Sequence, residues 1–121
     1  MRYLVQAVLL PAVMFSVPLT ALAAAALTPR EIGATFATGT PFSSTTPSGT
    51  SYSIVLKSDG SASRTPSRSK TAITGTWRLS TDGYCSTWGK SAENCYRVEK
   101  DAGRYKVFDK SGSTVAYWIA K

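Results

Sequence analysis

Seven Asp and Glu, fourteen Lys and Arg, two Cys and no His are the groups with which this 121-residue chain can do chemistry. The missing imidazole excludes His-based acid–base catalysis and His-ligated metals. Ser–Lys pairs, paired carboxylates and carboxylate-only metal clusters remain. Asp59, Asp82 and Asp101 precede or nearly precede Gly, and Asp109 follows a strand end, so turn geometry accounts for all four. Glu31 suits a helix cap, Glu93 and Glu99 form no spaced pair, and Ser69-Lys70 has no supporting partner. The chain reads as a protein without catalytic residues, metal or cofactor, and not as an enzyme.

Cys85 and Cys95 stand ten positions apart. Nine intervening residues do not make a redox-active Cys-x-x-Cys, and in an oxidising compartment two such thiols are expected to form a structural disulfide. Closing so short a loop constrains the unfolded chain by about 3 kcal/mol in the entropy model. If the two cysteines face each other across a hairpin, residue 86 pairs with 94, 87 with 93 and 88 with 92, around a Gly89-Lys90-Ser91 turn.

The formal charge is +7, with one local concentration. Arg64, Arg68, Lys70 and Arg78 lie between Gly60 and Thr81 with no acid among them, a candidate anion-binding set. Residues 61–70 are flexible in composition. They read either as a loop that follows an anionic polymer or as a solvated loop whose charges aid solubility. Among the aromatics, Trp77, Tyr52 and Tyr117 share a face with Ile and Leu and are expected in the core. Trp88 sits on the cysteine hairpin, and Trp118 alternates out of phase with Val115, Tyr117 and Ile119. Those two are the candidate exposed contacts.

The elements that must position these groups begin after a targeting segment. Met1-Arg2 is positive, Tyr3 to Leu22 is mostly apolar, and Ala21-Leu22-Ala23 has the form a signal peptidase cuts. Pro11 and Pro18 interrupt the run, which favours a cleaved signal peptide, 1–23, over a membrane anchor. The mature form, with no transmembrane span, is then one small basic β-domain, 24–121, periplasmic or secreted. Export makes nucleic acid a poor partner. An anionic envelope component or another exported protein suits it better.

Leu27-Thr28-Pro29-Arg30-Glu31-Ile32 predicts a helix over 28–38, with Thr28 as N-cap, Pro29 at the first turn, Glu31 completing a capping box and Gly39 as the stop. Residues 38–51 read as a polar loop rich in breakers. Period-two runs then cover Tyr52 to Lys57, Ile73 to Leu79, Tyr84 to Trp88, Cys95 to Lys100, Arg104 to Phe108 and Thr114 to Ala120, separated by Asp-Gly and Ser-Gly turns. The expected fold is mainly β, an antiparallel meander or small open barrel of about six strands with one short N-terminal helix.

Leu27-Thr28-Pro29-Arg30-Glu31-Ile32, Asp59-Gly60, Gly75-Thr76-Trp77, Cys85-Ser86-Thr87-Trp88, Cys95-Tyr96-Arg97-Val98 and Asp109-Lys110-Ser111-Gly112 occur in that order. The series resembles an uncharacterised family of small exported, periplasmic, disulfide-containing β-domain proteins of Gram-negative bacteria. The resemblance implies fold, export and the disulfide, and no activity. The Gly-x-Trp strand and single disulfide are also similar, more loosely, to periplasmic inhibitors of secreted metalloproteases. Those insert an N-terminal segment into the protease, whereas Ala24-Ala25-Ala26-Leu27 runs almost directly into the helix here. The sequence reads as a non-catalytic exported binding or envelope-associated module. The alternative is an inhibitor of an envelope or secreted hydrolase.

Overall fold

Helix α1 (Pro29–Phe36) forms where its capping signals place it. The Thr28 hydroxyl accepts the Glu31 amide at 3.2 Å, and the Glu31 carboxylate accepts the Thr28 amide at 3.2 Å. These bonds satisfy two of the donors that a helix start leaves free. The helix ends before the expected residue 38, with Ala37 as its C-cap. Gly39 is not the stop. It holds a φ of 77° and donates its N–H to the Leu56 carbonyl at 3.0 Å, turning the chain into the first strand. The computed structural model describes residues 25–120, so the expected signal peptide 1–23 lies outside the described residues.

Eight antiparallel strands follow: β1 (Phe42–Thr45), β2 (Ser51–Leu56), β3 (Ser61–Pro66), β4 (Ile73–Leu79), β5 (Tyr84–Trp88), β6 (Asn94–Asp101), β7 (Arg104–Phe108) and β8 (Thr114–Ile119). Each pairs with the next and β8 pairs with β1, so the sheet closes into a barrel. This corrects the expected open sheet of about six strands. The two additional strands, β1 and β3, fall in segments read as Ser/Thr-rich loops. Phe-Ser-Ser-Thr and Ser-Ala-Ser-Arg-Thr-Pro carry few apolar side chains, but their backbones complete the ladder between β8 and β2 and between β2 and β4. Closure pairs most of each of those strands on both sides, and that gain outweighs weak local preference.

Inward positions alternate along each strand and form a core of Phe42, Ile54, Leu56, Ala62, Tyr84, Val98, Val107, Ala116 and Trp118. Helix α1 plugs one end. Its Ile32 and Phe36 are buried, and the Phe36 ring meets Phe42, Tyr105 and Trp118 edge-on with centroids 4.8–4.9 Å apart. An amphipathic helix of eight residues is not stable alone, and the barrel end supplies the surface it needs. The α1–β1 link and the β2–β3, β4–β5 and β6–β7 turns gather at this end. The β1–β2, β3–β4, β5–β6 and β7–β8 connections gather at the other.

The phase of β8 is the reverse of the sequence reading. Ala116 and Trp118 face inward, Trp118 at 2% exposure, while Ile119 is 52% exposed. Small Ala116 opposite Val107 leaves interior room for the Trp118 indole beside Phe36 and Phe42, and Tyr117 turns outward under the Arg104 guanidinium at 4.0 Å. Trp118 is therefore a core residue, not an exposed contact. Trp77 does not reach the deep core. It is half-buried against the core's edge, with its indole N–H donating to the Lys57 carbonyl at 2.7 Å.

Cys85 and Cys95 are directly opposed, 3.9 Å apart at Cα, and joined by a disulfide whose Cys85 half is fully buried. Ser86 pairs with Asn94 as the spacing predicts, but 87/93 and 88/92 do not pair. Beyond Ser86, β5 instead keeps its partner β4, pairing Thr87 with Thr76 and Trp88 with Gly75. The hairpin is splayed towards its tip. On its other side β6 runs past the start of β5, where Ala26 bridges Glu99 and the Leu27 N–H donates to the Val98 carbonyl at 2.7 Å.

Candidate functional site

The end of the barrel opposite α1 is open, and a cavity of about 140 Å³ enters it. Leu56, Val107, Ala116 and Trp118 line its deeper part. Tyr52, Tyr84, Trp88 and Tyr96 form its aromatic walls. Its polar groups include two buried serines, Ser44 and Ser86, and one cation, Arg64. Among the described residues no carboxylate lines it. A small concave site of apolar walls with a few convergent polar groups suits a small ligand.

Arg64 is positioned by the strand that the sequence conceals. On β3 it lies two residues after the inward Ala62, so the pleat turns it inward as well, opposite Ile54 and Ile73. Its guanidinium carbon sits 4.6 Å from the Trp88 ring centroid and 5.3 Å from that of Tyr52. Cation–π attraction of this kind strengthens where water is excluded. Its Nε–H is buried and has no hydrogen-bond partner among the described residues. Gly75 makes the stack feasible: a Cβ there would collide with the Thr87 carbonyl and lie 2.7 Å from the Trp88 ring. Glycine is required here for close approach of an indole to the backbone, not for a turn.

The neighbouring phenols are held neutral. Burial pushes Tyr84 well above its ordinary value, with Tyr96 adding to the effect. Burial raises Tyr96 too, Arg64 opposing the shift and Asp109 reinforcing it. Around the mouth, the connections between strands carry Arg68, Lys70, Lys90 and Lys110 against Glu93 and Asp109. The rim is therefore net positive, with Arg64 inside it.

The four cations grouped by sequence do not form one site. Arg64 lines the cavity as a half-buried residue, while Arg68 and Lys70 are exposed on the β3–β4 connection. Arg78 lies on the outer wall, where Nε and Nη2 donate to the two Glu93 oxygens at 3.0 and 2.7 Å. Of the two expected aromatic contacts, Trp88 lines the cavity as a half-buried wall and Trp118 forms part of its floor. The sequence offers Tyr52, Tyr84 and Tyr96 among aromatics suited to either a ligand face or the core and favours the core for Tyr52, whereas all three line the cavity. The usable signal is their period-two register on β2, β5 and β6 once the sheet is closed.

The carboxylates behave as turn and pairing groups. Asp59 accepts the Ser61 hydroxyl at 2.6 Å and its amide at 2.9 Å, which lowers its pKa. Asp109 is lowered likewise, by the Ser111 hydroxyl first and then the Ser113 amide. Asp101 lies 3.7 Å from Arg104 and 3.6 Å from Lys106. Glu93 approaches Cys85 and Cys95, but the disulfide consumes both thiols, so the trio is no metal centre. Among the described residues no helix is long and apolar enough to cross a membrane. No family model, curated protein or solved structure matches this chain.

Proposed function

We propose that this protein is a non-catalytic exported binding module that takes a small ligand into the open end of its barrel. The carrying observation is the cavity of about 140 Å³ above a barrel end that α1 plugs. A void of about this size, lined by apolar side chains, is enough to hold a single benzene ring. Export is supported by the signal-like residues 1–23, by the Cys85–Cys95 disulfide and by the resemblance to exported β-domain proteins of Gram-negative bacteria. The positive rim fits a working place among anionic envelope polymers.

The three tryptophans supply the test. Trp88 and Trp118 line the cavity, whereas Trp77 does not and has its indole N–H engaged by Lys57. Titration of a ¹⁵N-labelled sample with mixtures of small ring compounds is expected to shift the Trp88 and Trp118 indole signals saturably and leave that of Trp77 in place. If no compound moves either signal, the interior is not a binding site.

A further inference from the structure

The geometry points to a ligand class for this cavity: an organic carboxylate whose apolar body is about one ring or about six carbons long. The inference rests on the interior being the binding site and adds the chemistry of what enters it. Among the described residues Arg64 is the only charged side chain lining the cavity, and no acidic side chain there neutralises it. Its Nε is shut off from solvent and has no hydrogen-bond partner among the described residues. A half-buried guanidinium with no ion-pair partner among the described residues gains by binding an anion.

The guanidinium lies near two aromatic faces, and its N–H donors project from its own planar edge. The two Nη groups, which are not shut off from solvent as Nε is, form an end-on fork that matches the two oxygens of a carboxylate. The single cation inside the cavity balances a single negative charge. A phosphate monoester would bring a second charge and stronger hydration into an apolar site. The body of the ligand would rest on Leu56, Val107, Ala116 and Trp118, between the walls of Tyr52 and Trp88. The Ser44 and Ser86 hydroxyls lie within the same cavity and suit a polar substituent on the ring. Arg68 and Lys70 at the mouth favour the approach of an anion.

Benzoate and benzyl alcohol share a carbon framework and differ in the head group, so the parent protein alone gives the first readout. Benzoate is expected to shift the Trp88 and Trp118 indole signals with an affinity about tenfold or more above that of benzyl alcohol. Added salt should weaken benzoate and leave the alcohol unaffected. Arg64→Gln is expected to remove the preference, lowering benzoate affinity about tenfold to a hundredfold and leaving benzyl alcohol nearly unchanged. Arg64→Lys keeps the charge without the planar fork and should recover only part of the loss. Equal affinity of the two probes for the parent, or a preference that survives Arg64→Gln, overturns the carboxylate assignment while leaving the interior site standing. Failure of both probes and of every other ring compound to move either indole signal removes the interior site itself, and the assignment with it.

Discussion

Burial keeps the Tyr84 phenol protonated in the folded barrel well above the ordinary value of 10.0. In the unfolded chain the same phenol ionises near that value. Above it the unfolded state therefore binds fewer protons than the native state, and stability must fall as pH rises. The expected profile is flat with respect to this group up to about pH 10, then declines by up to about 1.4 kcal/mol per pH unit. Urea unfolding along an alkaline series measures it, and Tyr84→Phe should make the decline shallower. Tyr96 keeps a smaller share, because it is only half-buried. No such dependence is legible from the residue itself. Tyr84 follows a Gly and precedes a Cys, and only the inward phase of β5 reveals that its ring stacks beside Tyr96 and Trp118.

Helix α1 works as an element through one ring. Phe36 touches three aromatic residues from β1, β7 and β8, and it is fully buried. Phe36→Ala is expected to destabilise the domain by about 3–5 kcal/mol, seen as a lower urea midpoint with an unchanged slope. Loss of that much stability without loss of cavity binding would place the plug and the site at independent ends. The helix was readable because Thr28, Pro29 and Glu31 act locally, through bonds spanning three residues. Strands β4, β5 and β7 were readable to the residue because apolar alternation and flanking Gly turns agree. Strands β1 and β3 were not, since Ser-Ala-Ser-Arg-Thr-Pro becomes a strand only by being paired on both sides. The site shared that fate: Arg64 is a solvated loop charge until β3 exists, and a cavity-lining guanidinium once it does. Trp118 was misplaced for a related reason. Alternation favoured the larger set Val115, Tyr117 and Ile119, whereas a crowded interior selects small Ala116 beside one large ring.

At the scale of the whole molecule, the barrel depends on one long-range pairing. Ser43 lies opposite Ile119 and Thr45 opposite Tyr117, while every other strand pair joins neighbours in sequence. Bringing those ends together costs loop entropy before any contact rewards it, so closure sets the pace of folding. The Cys85–Cys95 bond lies in a hairpin of only three residue pairs, so its pairing completes with closure rather than before it, and the bond takes only ten residues out of that search. Stopped-flow refolding followed by tryptophan fluorescence should therefore give similar rates for the oxidised and reduced protein, with reduction acting mainly to speed unfolding. The disulfide is then a brake on opening. Wherever proteases act on the unfolded state, that brake lengthens the life of the folded molecule between visits to it, without changing how quickly each new copy is made ready.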